Sequence, residues 1–504
     1  MLSEDHCWEI LKSHFDKKGF VHHQTESFDQ FVNVGIAKII AEEPSIVIIP
    51  PRDENGANSC DYFKYTITFS DVYIPKPTVI EDDRTLRGFN PIEARQRDMT
   101  YDSPVYVNVT TILIQDENSE PIVEHNRRVV IGRIPIMLRS NKCYLTDMTQ
   151  DERIKAGECE RDEGGYFIIK GKERVLIPQI RGVYNIPKVY SQRQGDRWLY
   201  ITEIRSMSEQ TGHSALLKAM IGSDNRSLMF SLPYIKEAIP MGVVFKAMGY
   251  STEEELYDII GLNSERVEKY IRYIIRDSCF CETREDALLY IGQHSMHTLK
   301  ENERVNYANQ VVENELFPHM GITCTPREKG YFLGYIVNKL LSTYLEMRTE
   351  DDRDDFVNKR VESAGILCYE LFRQLFKKYI SAIVSQIEKK KQAPDAMSII
   401  PRLPVITNGL KHSFSVGNWG VPKNSYIRSG VSQILSRLSY GSTISNLRRL
   451  AIPIGKESKN SKIRQIHPSQ IMFICCAESP EGASIGIVLN LALLTRISER
   501  FPQS

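Results

Sequence analysis

The sequence lacks any apolar run of the ~18–20 residues that a membrane span requires. Its longest approach, Ile485 to Leu494, is short and interrupted by Asn490. The opening Met1-Leu2-Ser3-Glu4-Asp5 has none of the basic and then apolar order of a secretory signal. Ten cysteines, from Cys7 to Cys476, form no paired framework, which excludes a disulfide scaffold and predicts reduced thiols in an intracellular compartment. Net charge is absent too: 64 Lys and Arg balance 64 Asp and Glu, so the totals generate no long-range field of one sign. There is no G-x-x-x-x-G-K-[ST] and no G-x-G-x-x-G opening a helix, and Lys456 follows Gly455 without the rest of such a loop. An autonomous nucleotide-hydrolysing domain is therefore not supported. No Ser, Cys or Thr nucleophile acquires a base by sequence proximity.

What is present is a soluble globular composition, 41% hydrophobic and 25% charged over 504 residues, long enough for two to four domains. The charge is segregated. From Arg402 to Arg464 eleven Lys and Arg face one acid, Glu457, a local net charge of +10 that leaves −10 for the remainder. Such a segment suits a polyanion whose phosphates are neutralised by cations, and equally a solvated basic face. Asn418, Trp419, Tyr426, Tyr440 and several Ser and Gly interleave with the cations and favour the polyanion, because they can stack and hydrogen-bond.

Periodicity predicts mixed helices and strands. Trp8, Leu11 and Phe15 after Ser3, and Phe31, Val34 and Ile39 after Ser27, have helical spacing and read as helices covering a sheet. Ser45 to Pro50, Tyr62 to Tyr73 and Val105 to Gln115 read as strands. Glu163-Gly164-Gly165 and Lys170-Gly171-Lys172 are turns around a hairpin of Tyr166 to Ile169 with Arg174 to Ile177. A helix-rich module is expected from about 210 to 350, where Thr252 and Glu255 have capping-box spacing. A long helix runs through Leu371 to Ile387 and ends at Lys389-Lys390-Lys391 before Pro394. Beyond 400, short elements carry loops, and Gly455 to Lys462 reads as the most mobile.

Two clusters have the residue types of metal ligands. Glu350 to Asp355 is acidic, but its arginine favours a helix start with local ion pairs. Cys279, Cys281, His294 and His297 have the four ligands of a zinc site, but C-x-C is shorter than the usual spacing and core thiols and histidines are favoured. No metal site is expected in this chain.

Several stretches then fall in a fixed order. They are Lys17-Lys18-Gly19-Phe20-Val21 with Glu26-Ser27-Phe28-Asp29, Gly164-Gly165-Tyr166-Phe167 through Glu173-Arg174-Val175, Glu203-Ile204-Arg205-Ser206, and Leu316-Phe317-Pro318-His319-Met320-Gly321. Tyr331-Phe332-Leu333-Gly334-Tyr335, Asp351-Asp352-Arg353-Asp354 and Asn358-Lys359-Arg360 follow. The densest block holds Gly409-Leu410-Lys411, Gly417-Asn418-Trp419-Gly420, Gly430-Val431-Ser432-Gln433, Leu447-Arg448-Arg449, Pro453-Ile454-Gly455, Arg464-Gln465-Ile466-His467 and Glu478-Ser479-Pro480-Glu481-Gly482. Together they resemble the second-largest, beta-type subunit of multisubunit DNA-dependent RNA polymerases, in its archaeal, eukaryotic and large-DNA-virus branch.

The resemblance implies an α+β multidomain fold of mixed sheets with helices, ordered as protrusion (1–180), lobe (181–354), protrusion completed (355–400) and fork (401–504). By analogy a first fork loop, Leu403 to Trp419, would lie beside the RNA–DNA hybrid and a second, Gly455 to Lys462, near the opening downstream duplex. Arg449, Arg464 and Glu481 match positions that support the active centre, with Lys411, Gln433, Arg448, Lys456, Lys459 and Lys462 as further nucleic-acid contacts. The family's Asp-Phe-Asp-Gly-Asp motif, which holds magnesium, belongs to the largest subunit and has no counterpart here. Mg2+ is thus expected in the assembled enzyme and not on this chain. The family's later parts would follow Gly482, so the resemblance is to the N-terminal product of a split subunit. Expected partners are the largest subunit, a separate C-terminal part, smaller subunits, DNA template, RNA transcript, NTPs and initiation factors, but no membrane. The expected location is host cytoplasm or virion for a viral protein, cytoplasm for an archaeal one. Ser436 and Asn446 stand where bacterial relatives carry the Asp and His of the rifampicin pocket, and Ile180-Arg181 replaces a common acidic residue. Rival readings are a stand-alone nucleic-acid-binding protein and a structural assembly protein with a basic docking segment.

Overall fold

Two separate hydrophobic cores organise the chain in the computed structural model. The structure describes all residues except 1–2, 44, 50–62, 116–118, 195–196, 223, 262–263, 297–299, 322, 390–394, 421–427, 456, 459–460 and 499–504. One unit comprises Met1–Arg181 with Val361–Ser504, and the other is Gly182–Arg360. Helices accompany several mixed sheets, an α+β multidomain architecture.

In the first unit, Ser45–Ile48, Lys64–Tyr73, Asp102–Ile114 and Ile122–Pro135 form an antiparallel sheet in that order. Alternation along Lys64–Tyr73 sends Tyr65, Ile67 and Phe69 inward, as a half-buried strand must. The helix Ala364–Glu388 covers them, with Phe376 edge-on to Phe69 at 5.9 Å between ring centroids. A second helical run, His22–Glu42, crosses it where Ser27 Oγ meets Ser363 Oγ at 2.5 Å. A Cβ on Gly365 would lie 1.9 Å from the Ser27 carbonyl oxygen, so this crossing requires glycine.

The run does not keep one helical face. Phe31–Gly35 forms a π turn, which shifts the buried stripe to Phe28, Phe31, Val32, Ile36 and Ile39 and leaves Val34 exposed. The first helix, Glu4–Lys18, follows Ser3 as expected, and Ser3 caps it with His6, but Trp8 is exposed and Leu11 and Phe15 are only half-buried. It does not cover the sheet as its spacing suggested.

The hairpin forms from Phe167–Ile169 and Lys172–Leu176. It gains a third strand, Ser432–Ile434, from the far end of the chain. Ala451 pairs in parallel with Gln179 just beyond the hairpin, and Arg449–Ala451 pairs antiparallel with Val488–Asn490. These pairings fix the last hundred residues onto the first unit.

In the second unit, Lys188–Gln194, Arg197–Met207, Ser214–Ile221, Leu228–Ser231 and Ile239–Pro240 make a five-stranded antiparallel meander. Residues 210–240, expected within a helical module, are strands because Ala215, Leu217, Ala219 and Ile221 alternate into the core. Helices begin at Met241, and Thr252 and Glu255 exchange capping hydrogen bonds at 3.3 Å. Among the described residues no helix is long and apolar enough to cross a membrane.

Candidate nucleic-acid interface

The basic segment is not a free basic face. Lys411, half-buried on the helix Val405–Val416, is held 3.0 Å from the buried carboxylate of Asp102, which also binds Arg133. Arg428 pairs with Glu362 and Glu370. Arg437 reaches Glu173 at 2.7 Å and Asp162 at 3.0 Å, and its guanidinium lies over the Tyr166 ring. Arg95 ties the same group together, bonding Glu173, Glu158 and the Tyr166 hydroxyl. Burial alone would raise the Asp162 carboxyl, but hydrogen bonds from Tyr166, the Gly164 N–H and Arg437 hold it below the usual range. Three of the eleven cations, Lys411, Arg428 and Arg437, are thus paired with acids from elsewhere in the chain.

Trp419, read from sequence as a stacking group, is buried edge-on to Phe414 and donates its indole N–H to the Leu367 carbonyl at 2.7 Å. The expected loop Leu403 to Trp419 is mostly the helix Val405–Val416, with Ile406, Leu410 and Phe414 facing the core. Gly417 closes it at φ +85°, where a Cβ would sit 2.7 Å from the Ser432 carbonyl oxygen.

Arg448 and Arg449 are adjacent and differ completely. Arg448 is buried and donates to the carbonyls of Phe20 and Ala492, both at 2.7 Å, and Leu493 at 3.1 Å. Burial pulls its guanidinium below the ordinary value, and it also depresses the pKa of fully buried His23, pushed to about 3 mainly by desolvation. Arg448 is a staple between the two ends of the first unit. Arg449, half-buried opposite Asn490, has no side-chain partner among the described residues.

Arg464 organises the loops. Its guanidinium donates to the carbonyls of Ala483 at 2.8 Å, Ile485 at 3.0 Å and Ser458 at 3.1 Å. It thereby joins the polar loop after Gly455 to the Pro480-Glu481-Gly482 turn. The backbones touch as well: Gly486 has φ +68°, and a Cβ there would be 2.4 Å from the Arg464 carbonyl oxygen. At the turn's other end Glu478 accepts from Ser445 Oγ, which in turn accepts from Asn490 Nδ2 at 3.0 Å. The exposed Glu481 is therefore presented between two anchors. The Ile452 N–H donates to Ile487 O at 2.8 Å, and this links the strand bearing Arg449 to the segment that follows the turn.

Gln433 lies in the strand Ser432–Ile434 and donates to Gly430 O at 3.0 Å, on the hairpin sheet. Lys462 is exposed in the turn Lys462–Arg464. Lys456 and Lys459 lie outside the described residues, as does Asn460 of the loop expected to be mobile.

Among the described residues neither set of metal-ligand types assembles. Asp351 is taken by Lys339 at 2.9 Å and by Arg348 at 2.5 Å, and the acidic run leads into a single turn, Phe356–Asn358, instead of a longer helix. Cys279 is exposed, Cys281 buried, and His297 is outside the described residues. No group of three or more His, Cys, Asp or Glu among the described residues could hold a metal ion. The described cysteines are free thiols.

Arg449 thus lies on a paired strand, Arg464 is spent on loop carbonyls, and Glu481 is exposed on the turn that leads to two of those carbonyls. The sequence profile of the RNA polymerase beta subunit family matches residues 19–410, and that of RNA polymerase Rpb2, domain 3, matches 433–497. The chain belongs to the RNA polymerase beta subunit family. Within it, a probable DNA-directed RNA polymerase II subunit RPB2 homolog of Invertebrate iridescent virus 6 is 38% identical over 99% of this chain and 46% of its own length. DNA-directed RNA polymerase II subunit 2 of Arabidopsis thaliana is 36% identical, with 99% and 44% covered. DNA-directed RNA polymerase subunit Rpo2 of Sulfolobus acidocaldarius is 30% identical, with 99% and 42% covered. The chain spans less than half the length of these relatives.

Proposed function

We propose that this chain is the part of a DNA-directed RNA polymerase second-largest subunit that lines the nucleic-acid cleft and supports the active centre. The observation that carries the reading is the framework around Arg464. In a member of this family, a guanidinium that fixes two loops together, with Arg449 lacking a side-chain partner among the described residues, forms a preorganised cationic edge for phosphate charge, and the exposed Glu481 carboxylate borders it. Its partners are the largest subunit, which supplies the Mg2+ ligands, the polypeptide equivalent to the remaining half of the relatives, smaller subunits, DNA template, RNA and NTPs. Residues 1–180 with 355–400 act as protrusion, 181–354 as lobe and 401–504 as fork, in an intracellular compartment.

Arg449 contacts nucleic acid directly. Arg464 acts as a positioning residue, and Glu481 and Lys462 border the same edge. The test is RNA synthesis by the reconstituted enzyme on a preassembled DNA–RNA scaffold. Arg449→Ala is expected to slow elongation at least tenfold, and Arg464→Ala to slow it while Arg464→Lys restores part of the rate. Wild-type elongation in Arg449→Ala, Arg464→Ala and Glu481→Ala would remove the assignment.

A further inference from the structure

Within the first unit lies a cavity of about 660 Å³, lined from the end of the helix Glu4–Lys18, the start of the run His22–Glu42, the short helix Gln150–Lys155, the loop 160–163 and Tyr440. Its volume is that of a small-molecule site, and it shares no residue with the edge formed by Arg449, Arg464 and Glu481.

Arg139, Arg153 and Arg161 line it, and their hydrogen-bonding capacity is largely unspent. Arg161 is exposed and makes no ion pair or hydrogen bond among the described residues. Arg153 donates its Nε–H to the Met148 carbonyl at 3.1 Å, and its two terminal nitrogens have no partner among the described residues. Arg139 Nη1 stands 3.6 Å from Glu163 Oε2, beyond hydrogen-bond range. Burial and then the charge of Arg139 pull the Arg153 guanidinium below its ordinary value, so two like charges are held near one another. Acids that could answer them are committed elsewhere. Glu158 goes to Arg95, and Asp162 to Arg437 and Tyr166, and neither lines the cavity. Of those that do, Glu160 accepts from Gln150 Nε2 and Asp16 is exposed.

The arginines are also placed with effort. Arg139 adopts φ +61°, a left-handed conformation uncommon for any residue with a side chain. The Gly164-Gly165 turn holds it there: the Gly165 N–H donates to Leu138 O at 3.0 Å, and a Cβ on Gly164 would lie 2.8 Å from Arg139 Cβ. Strain of this kind, overdetermined by its surroundings, marks functional positions. Opposite the cations stand two rings. Tyr440 starts the helix Tyr440–Leu447 and is 51% exposed. Its hydroxyl is raised by burial and by Glu163 and drawn down by Arg161 and Arg139, which places it within their electrostatic reach. Phe15, stacked on Phe20 at 4.4 Å, adds an apolar wall.

We propose that this cavity binds a free nucleoside polyphosphate, with the phosphates on Arg139, Arg153 and Arg161 and the ring on Tyr440. Forked guanidinium donors match phosphate oxygens, and three of them around one space call for more than one phosphate. An aromatic face beside them takes a planar base. The site is separate from the cleft edge, so it stands or falls independently of the functional reading above.

The test is isothermal titration calorimetry of the full 504-residue chain with ATP in the presence of a chelator, with inorganic tripolyphosphate and GTP as further probes. One ATP is expected to bind per chain. Arg161→Glu, which breaks no contact of the fold, and Arg139→Gly, which deletes the guanidinium and relieves the backbone, should each weaken ATP at least tenfold while keeping the parent's melting temperature. Tyr440→Ala should weaken ATP at least threefold and leave tripolyphosphate unchanged. Arg464→Ala, at the cleft edge, and Arg266→Glu, exposed on the second unit's helix Glu265–Arg276, should bind ATP as the parent does. No ATP binding by the unaltered chain, parent-like binding by both Arg161→Glu and Arg139→Gly, or an equal loss in Arg464→Ala or Arg266→Glu would each overturn the proposal. Tripolyphosphate binding as tightly as ATP would overturn it too, since the ring would then play no part. So would displacement of ATP by an unphosphorylated single-stranded RNA at lower concentration than by GTP, since the occupant would then be a strand.

Discussion

Replacing Arg448 by Met keeps most of the side-chain volume and removes three charge-assisted hydrogen bonds, to Phe20, Ala492 and Leu493. Bonds to a charged donor contribute about 1.5–3 kcal/mol each. The gross loss is partly offset because the buried guanidinium no longer has to be desolvated, a cost visible in its lowered pKa. The Leu493 carbonyl, on an exposed residue, can also rehydrate. A net destabilisation of about 3 kcal/mol is expected. With an unfolding entropy of ~2 cal/mol/K per residue, a unit of roughly 300 residues should lose about 4–5 °C in melting temperature. Differential scanning calorimetry of the whole chain measures this, and hydrogen exchange should show faster opening at 487–495. Arg449→Ala, one residue on, should stay within about 0.5 kcal/mol of wild type and instead impair elongation. Equal melting temperatures for Arg448→Met and the parent protein would refute the staple and return Arg448 to the surface cations.

His23 should make stability pH-dependent. Its pKa is pushed to about 3 in the folded chain by burial and then by Arg448, so the unfolded state binds the proton first as pH falls. Its contribution is fully present above pH ~6.5 and is lost at about 1.4 kcal/mol per pH unit below it, until pH ~3. Urea unfolding from pH 7 to 4.5 should therefore show a shallower decline in His23→Gln than in wild type, and parallel curves would contradict the assignment. Gly486→Ala must move the Arg464 backbone, at a cost of about 1–3 kcal/mol for overpacking and 1–2 for the left-handed residue; elongation should drop at least tenfold, and an unaffected rate would show that the Arg464 geometry is not used. The Ser436 backbone N–H donates to Asn446 Oδ1 at 3.2 Å and Ser436 Oγ lies 2.6 Å from Ser442 Oγ, so both side chains are engaged within this segment. The assembled enzyme should resist rifampicin at levels that stop bacterial polymerase, and inhibition in a run-off assay would contradict this.

Local rules carried the sequence reading a long way. The helix start after Ser3, the capping box at Thr252, the hairpin around Gly171 and the helix through Ile387 depend on neighbours within a few residues, and they appear where spacing put them. What spacing could not show was set by distant partners. Arg437 meets Glu173 across 264 residues, and Arg448 meets Phe20 across 428, so cations that looked free are committed inside the fold. Trp419 looked like a stacking group because it stands among cations, yet Leu367 and Phe414 claim it. The one available signal for Arg448 was the apolar Leu447 beside it and the rarity of acids nearby, which fit a buried arginine as well as an exposed one. Gly486 lay just past the quoted Pro-Glu-Gly stretch and went unread, although its positive φ is what admits the Arg464 backbone.

The first unit is interrupted in sequence by all of Gly182–Arg360, and its covering helix Ala364–Glu388 lies after the interruption. On a ribosome adding ~5–20 residues per second, that helix emerges roughly 10–40 s after the sheet it must cover. The second unit, contiguous and built on a meander of sequential strands, can complete itself in that interval. The nascent sheet, with Ile67, Phe69 and Val107 on its open face, has to wait. Production of this protein should therefore respond more to chaperones that shield the early sheet, and to translation speed across the interruption, than to any change in the second unit itself.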